Sequence, residues 1–388
     1  SHSFPPQDKK KEKMFAGKGA VWFSRAVALA AIAVVACVGL TQAQPEARFN
    51  CNSANIPTCR ALISYSHPNT TTLGDIQKLF NVKHILDIVG ANNLPSNATK
   101  TYAVGPNEVV KVPFPCRCSN NTGLSDRVPL YRIKKGDTLY YIATTTFAGL
   151  MKWPQIQVAN NIANANNITT GDMLYIPLPC SCDEVGGKSV VHYAHLVAPQ
   201  STVEGIAEEF GTTQQILLNL NGISDPKNLQ AGQILDVPLQ ACSSNVKNDS
   251  LDYPLLVPNA TYAYTAHECV KCKCDSSNNF ILQCEPSQLK PTNWSVCPSM
   301  ECSANVLIGK TISSDSCNRT TCAYTGYRFH NISAEAVTEN TCAVPPTPSG
   351  SGGSTGSDSG ASRSTLQGLF WSNLFIVIHF VLFLVYVL

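Results

Sequence analysis

Three groups of residues carry types that can do chemistry. Glu204, Glu208 and Glu209 form the densest carboxylate cluster. A glycosidase needs two carboxylates held about 5–9.5 Å apart across a cleft. These three fall on one short helical stretch and read as a solvated face. The Gly-x-Ser-x-Gly match Gly352-Gly-Ser354-Thr-Gly356 falls in a Gly/Ser run and not between a strand and a helix pattern, so it is no acyl-transfer elbow. Cys269-x-x-Cys272-x-Cys274 has the spacing of zinc thiolates or of disulfide halves. Nine Asn-x-Ser/Thr sequons, at Asn69, Asn97, Asn120, Asn167, Asn248, Asn259, Asn293, Asn318 and Asn331, are acceptors for N-linked glycans. Sequons and cysteines together place the chain outside the cell, where bridges are favoured over metal. We expect no enzyme, no metal and no cofactor.

The ends agree with that compartment. Residues 26–40 form an apolar run behind Lys and Arg and ahead of Thr41-Gln42-Ala43, as a cleaved secretory signal requires. The expected leader is 1–43, with 1–13 lying ahead of Met14 and not translated in the native protein; the rival is an uncleaved signal anchor. A Gly/Ser/Thr linker at 343–358 precedes a segment at 359–388 with an apolar tail from Leu366 to Leu388. Small residues, a polar spacer and an apolar tail form a glycolipid-anchor signal, with Ser357, Asp358 and Ser359 as attachment candidates; a plain transmembrane helix is the rival. With the ends removed, the formal charge of +2 turns slightly negative, and only 14% of residues are charged. Such a surface does not suit nucleic acid. Loss of Cys37 with the leader lowers the 17 cysteines to an even number.

The elements that must position everything else repeat. Val112-Pro-Phe-Pro-Cys116-Arg-Cys118, Ile176-Pro-Leu-Pro-Cys180-Ser-Cys182 and Val237-Pro-Leu-Gln-Ala-Cys242 each follow an Asn-bearing turn, around Asn92, Asn160 and Asn221. Self-similarity at this period means three structural units. In the second, Leu130–Ile133 reads as a strand, Gly136-Asp137-Thr138 as a turn and helix cap, and Leu139, Ile142, Ala143 and Phe147 as a helical stripe. A short helix with Trp153 and Ile156 and a closing strand, Met173–Ile176, complete the order strand, helix, helix, strand. The third unit repeats it, with a capping box expected at Ser201 and Glu204; in the first, Thr72 and Asp75 suggest the same cap. Units of this size have marginal cores, so disulfides between them should carry much of the stability. Residues 243–342 are Cys-rich and read as a small β-rich module whose pairing stays open.

Tyr131-Arg-Ile-Lys-Lys-Gly136-Asp137-Thr138-Leu139, then Ile142-Ala143 and Val158-Ala-Asn160-Asn161, resembles the lysin motif (LysM), a βααβ module that binds N-acetylglucosamine polymers. Three such modules with Cys-x-Cys linkers, a leader and a glycolipid tail resemble the plant LysM receptor-like proteins, a family with chitin-binding and peptidoglycan-binding members. The resemblance implies an α+β fold of three βααβ LysM modules at 51–118, 119–182 and 183–242, clamped by the disulfides Cys51–Cys118, Cys59–Cys182 and Cys116–Cys180. It also implies a groove between two loops, Lys135, Gly136, Asp137, Thr138 and Leu139 on one side and Ile162, Ala163, Asn164, Ala165 and Asn166 on the other. The second module matches best, because Asn69-Thr70-Thr71-Thr72 and Pro199-Gln200-Ser201-Thr202 replace the Gly-Asp-Thr turn elsewhere.

A neutral amino-sugar chain suits that groove. Gly136 lets backbone approach the ligand, Ile162 and Ala163 meet an acetyl methyl, and Asn164 and Asn166 bring amides. The plainer reading is that Asp137 and Thr138 cap a helix and the Asn residues shape turns. The expected protein is a receptor at the extracellular face of the plasma membrane. It would bind chitin oligomers or peptidoglycan in plant immunity, partner a LysM receptor kinase and form a ligand-induced homodimer. The Ala143-Thr-Thr-Thr-Phe147-Ala-Gly149 stretch looks closest to the peptidoglycan-binding branch, and both ligands stay open. A wall adhesin and a glycan-hydrolase accessory are the rival classes.

Overall fold

The computed structural model describes residues 49–52, 58–302 and 305–340. The leader, the linker, the tail and the attachment candidates lie outside the described residues. The strand, helix, helix, strand order occurs three times. The first unit runs β1 (Thr58–Tyr65), β2 (Thr71–Thr72), α1 (Leu73–Phe80), α2 (Ile85–Ala91), β3 (Ala103–Val104) and β4 (Val110–Ser119). Thr72 opens α1, its Oγ1 accepting from the Asp75 N–H (3.1 Å) and donating to the Asp75 carboxylate (2.7 Å). That satisfies one of the amides a helix start leaves orphaned. The helix then buries Leu73, Ile76 and Phe80 and stops at Asn81, whose left-handed φ of 53° turns the chain away.

The second unit runs β5 (Thr122–Ser125), β6 (Leu130–Arg132), α3 (Leu139–Tyr141) continuing into a π turn (Ile142–Thr146), α4 (Trp153–Ala159) and β7 (Met173–Tyr175). The third has β8 (Val190–Leu196), α5 (Val203–Glu209), α6 (Gln214–Asn221) and β9 (Ile234–Cys242). Here the expected Ser201–Glu204 box is corrected. Thr202 is the cap, its Oγ1 accepting from the Gly205 N–H (3.0 Å), because the helix begins one residue later than the box requires. Gly205 has no side chain to return a bond. Glu204, Glu208 and Glu209 are all exposed.

The three units are not separate beads. With β10 (Val257–Pro258) at one edge and the second unit's β5 at the other, the first and third build one sheet in the order β10-β9-β8-β1-β4-β5. β1 lies parallel to β8, with Leu62 opposite Tyr193 and Ile63 opposite Ala194. Ser64 seals that seam, donating from Oγ to the Ala194 carbonyl (3.2 Å) and accepting from the Leu196 N–H (2.8 Å). The second unit keeps its own ladder, β6 against β7. It joins the first through aromatic edges: Tyr65 on Phe80, Phe80 on Phe147 and Phe147 on Tyr131, with ring centroids 5.0, 5.7 and 5.9 Å apart.

Disulfides staple the joints. Cys51 pairs with Cys118, Cys59 with Cys182 and Cys116 with Cys180. The Cys269-x-x-Cys272-x-Cys274 run is split among Cys269–Cys297, Cys272–Cys284 and Cys242–Cys274. The sulfurs of Cys59, Cys116 and Cys182 lie within 4.8 Å of one another, yet each is committed to a bridge and none is a thiolate.

The Cys-rich region is built of β11 (Tyr262–Thr265), β12 (Val270–Lys273) and β13 (Gln283–Pro286), the pair β14 (Glu301–Cys302) and β15 (Val306–Leu307), and a hairpin sheet of β16 (Thr311–Ser314), β17 (Asn318–Arg328) and β18 (Asn331–Asn340). Inside it the Asp252 carboxylate accepts from Thr265 Oγ1 (2.6 Å) and the Tyr324 hydroxyl (2.7 Å). β11 packs on α2 at Gly90, where a Cβ would stand 2.2 Å from the Tyr262 carbonyl oxygen.

Candidate glycan-binding site

Gly136 sits in the bend between β6 and α3 with φ +90°, a value that L side chains rarely adopt, and nothing lies within 4 Å of where its Cβ would be. The bend offers bare backbone to solvent. Thr138 is the helix cap, its Oγ1 accepting from the Tyr141 N–H (3.0 Å). Asp137 does something else: its carboxylate accepts from the Lys134 N–H (2.7 Å) and from the Tyr131 hydroxyl (2.8 Å), which ties the bend to the core. Burial, with the hydrogen bond to Asp137 and its charge, pushes Tyr131 up to about 12. Lys135 and Thr138 are exposed, whereas Leu139 is only 1% exposed and belongs to the core, not to the surface of the loop.

The second loop leaves α4 through a latch. Asn160 Nδ2 donates to the carbonyls of Ile156 (2.8 Å) and Tyr175 (2.7 Å), and its Oδ1 accepts from the Tyr175 N–H (2.9 Å). Asn92 makes the same three bonds to Ile88 and Lys111, and Asn221 makes them to Leu217 and Asp236. In each unit one amide therefore ends the second helix and fastens it to the closing strand. Beyond Asn160, the Ile162 N–H donates to the Gln157 carbonyl (3.0 Å), and Gln157 Nε2 donates back to the Ile162 carbonyl (2.9 Å). Asn164 Oδ1 accepts from the Asn166 N–H (3.0 Å). Ile162 and Ala165 are half-buried against the core; Ala163, Asn164 and Asn166 are exposed.

The expected stripe in the first helix of this unit, Leu139, Ile142, Ala143 and Phe147, is buried, but the helix that carries it is not regular. Leu73-Ile76-Phe80 and Val203-Ile206-Phe210 keep α spacing, but Leu139-Ile142-Phe147 has one residue too many. The helix absorbs it as the π turn, in which the Phe147 N–H donates to the Ile142 carbonyl five residues back (3.0 Å), and Phe147 stays buried. The extra residue turns Thr145 and Thr146 toward the first unit. There the Tyr65 hydroxyl donates to the Thr146 carbonyl (3.3 Å). A cleft of about 560 Å³ opens between the two units, with Lys135, Gly136 and Asp137 on its rim; none of Ile162, Ala163, Asn164, Ala165 and Asn166 lines it. Sequence reasoning missed this cleft, whose one local signal was the five-residue step from Ile142 to Phe147.

All nine sequon asparagines are exposed, and Asn167 directly follows the second loop. The third unit holds a buried pair across its β8–β9 ladder: His192 Nδ1 lies 2.8 Å from an Asp236 carboxylate oxygen, and Nε2 lies 2.8 Å from the Asp183 carbonyl. Both ring nitrogens face acceptors, an arrangement that favours the doubly protonated ring. Burial pulls its pKa down, but the Asp236 charge and these hydrogen bonds outweigh it and leave the group above its ordinary value.

The LysM domain matches residues 131–177 and 195–238. LysM domain-containing GPI-anchored protein 2 of Arabidopsis thaliana is 46% identical over 292 residues, covering 75% of this chain and 82% of its own. The chain belongs to the LysM domain-containing GPI-anchored proteins. Another relative, chitin elicitor-binding protein of Oryza sativa subsp. japonica, is 38% identical over 341 residues, 87% of this chain and 91% of its own. Chitin elicitor receptor kinase 1 of Physcomitrium patens is 24% identical over 189 residues, 48% of this chain and 28% of its own. Two of these names describe a binding protein and a receptor kinase.

Proposed function

We propose that this LysM protein is a cell-surface receptor for chitin oligomers or peptidoglycan in plant innate immunity. A glycolipid on Ser357, Asp358 or Ser359 holds it at the outer face of the plasma membrane, and a LysM receptor kinase carries its signal. The first unit is by the same reading a third LysM module: it has the same element order, a Thr cap and the Asn92 latch. The observation that carries the reading is the bare bend at Gly136, open on its Cβ side and braced from below by Asp137. A neutral, acetamide-bearing chain needs backbone polarity and shallow apolar contact, which Gly136 and the Ile162–Asn166 loop supply without a catalytic pair of carboxylates. One module gives modest affinity, and an oligomer long enough to engage a second site raises it through effective concentration.

Calorimetric titration of the glycosylated ectodomain with chitin oligomers and peptidoglycan fragments tests this. Ala163→Trp fills the groove from an exposed position and should weaken binding about tenfold or more, roughly 1.4 kcal/mol. Gly136→Ala meets no clash but strains the bend and should weaken it similarly. Normal binding by both variants would remove the groove. Ligand-dependent association with a LysM receptor kinase ectodomain separates a receptor from a wall adhesin, and product analysis after incubation with peptidoglycan exposes any hydrolysis.

A further inference from the structure

We propose that the cleft between the first and second units is a second saccharide subsite, taking further residues of the same uncharged amino-sugar chain after it leaves the groove; this rests on the glycan-binding reading above. The volume of about 560 Å³ lies within the roughly 300–1,000 Å³ of small-molecule sites. Its floor is made by Tyr65 and Tyr131, the two ends of the aromatic row that joins the units. Thr71, Asp75 and Leu79 form the wall on the first unit, and Tyr141, Thr145 and Lys134 the wall on the second. Tyr141 is 49% exposed at the mouth, a large flat ring with a polar tip, suited to the mixed faces of a sugar.

The charges choose the ligand class. Lys134 and Lys135 stand against Asp75 and Asp137, so the formal charge of the lining cancels. Thr72 holds Asp75 through Oδ2, which leaves Oδ1 to accept from a sugar hydroxyl. A carboxylated sugar would gain from the lysines but would face Asp75; a neutral hydroxyl- and acetamide-bearing chain meets donors on one side and acceptors on the other. Continuity supports the path, because Lys135, Gly136 and Asp137 belong both to the groove and to the rim of the cleft. The π turn supports it independently. Such turns are rare and gather at functional sites, and this one carries Thr145 and Thr146 to the cleft while the Tyr65–Thr146 bond fixes the two walls.

Titration of the ectodomain with chitotriose and chito-octaose decides it. We expect the octamer to bind the unaltered protein about tenfold or more tightly than the trimer, at one oligomer per protein. Thr145→Trp, an exposed position that fills the cleft, and Tyr141→Ala, which removes the ring at its mouth, should each lower octamer affinity toward the trimer value and leave the trimer unchanged. Unaltered melting temperatures establish that both variants fold. Full octamer affinity in both variants would overturn the cleft while the groove stands. An octamer advantage that comes only with two proteins per oligomer would also overturn it. Failure of the unaltered protein to bind either oligomer would remove the groove and the cleft together.

Discussion

Replacing Asn160 tests whether the latch holds the second loop in place. Asn160→Ala removes three hydrogen bonds of 2.7–2.9 Å and leaves the N–H and carbonyl of Tyr175 facing a methyl group. At about 0.5–1.5 kcal/mol net per bond, and with part of the loss restored by water at a half-buried site, the cost should be about 2–4 kcal/mol. For a protein of this size about 1 kcal/mol shifts the melting temperature by roughly 2–4 °C, so a fall of about 4–16 °C is expected. Asn160→Asp should cost more at neutral pH, because a carboxylate keeps the bond from the Tyr175 N–H but turns oxygens on two carbonyls. That crowding raises the folded pKa of the new acid, so its stability should recover as pH falls, whereas Asn160→Ala should show no such recovery. The assay is thermal unfolding with disulfides intact, together with hydrogen exchange at the Tyr175 amide. Asn221→Ala, with the same three bonds in the third unit, should lose similar stability while keeping glycan affinity. Asn160→Ala should lose both. Melting within about 2 °C of the unaltered protein, or equal affinity losses in the two variants, would refute the argument.

Other consequences are as direct. Gly90→Ala should destabilise by about 1–3 kcal/mol despite the better helix former, because the new Cβ meets the Tyr262 carbonyl; protease sensitivity of residues 243–340 should rise with it. His192→Phe leaves the Asp236 carboxylate buried without its partner and should cost about 3–5 kcal/mol. Since the folded pKa of His192 lies above its unfolded value, the contribution of the pair is fully present below about pH 6.5 and is lost as pH rises through the folded value. Melting temperatures across that range should fall with pH in the unaltered protein, and this slope should flatten in the variant. Cys116→Ser with Cys180→Ser opens the bridge between the first and second units and should cost about 2–5 kcal/mol in thermal unfolding.

What the sequence discloses is mostly local. The Asn turns, the Thr72 cap and the apolar stripes rest on spacings of three to five residues, and the structure uses them in place. Spacing alone left the cysteine pairing open, since several partners are always admissible. The sheet shared by the first and third units was hidden, because Leu62 and Tyr193 pair across a long stretch of chain with no short-range mark. One trace of it was present: Ala61–Tyr65 reads as an unbroken apolar run apart from Ser64, as a strand covered on both faces requires. The cleft was hidden for the same reason, as it needs walls from two units.

The three latches give a physical reason for looking at the second unit's differences. Asn92, Asn160 and Asn221 do identical work, so the frame of each unit is set by the same few bonds and cannot account for distinct behaviour. The bends are what differ. The first unit opens its helix with Thr72 and the third with Thr202, each followed by three-plus-four core spacing, and neither bend has a bare glycine ahead of its cap. Only among the second unit's residues do a positive-φ glycine before the cap and an extra helical residue coincide. Each departure interrupts regular structure: glycine by backbone entropy, the π turn by an extra residue in the helical ladder. Gly136 and the π turn's Thr145 and Thr146 line the same cleft, which is where the proposed path of a chain ligand would need them.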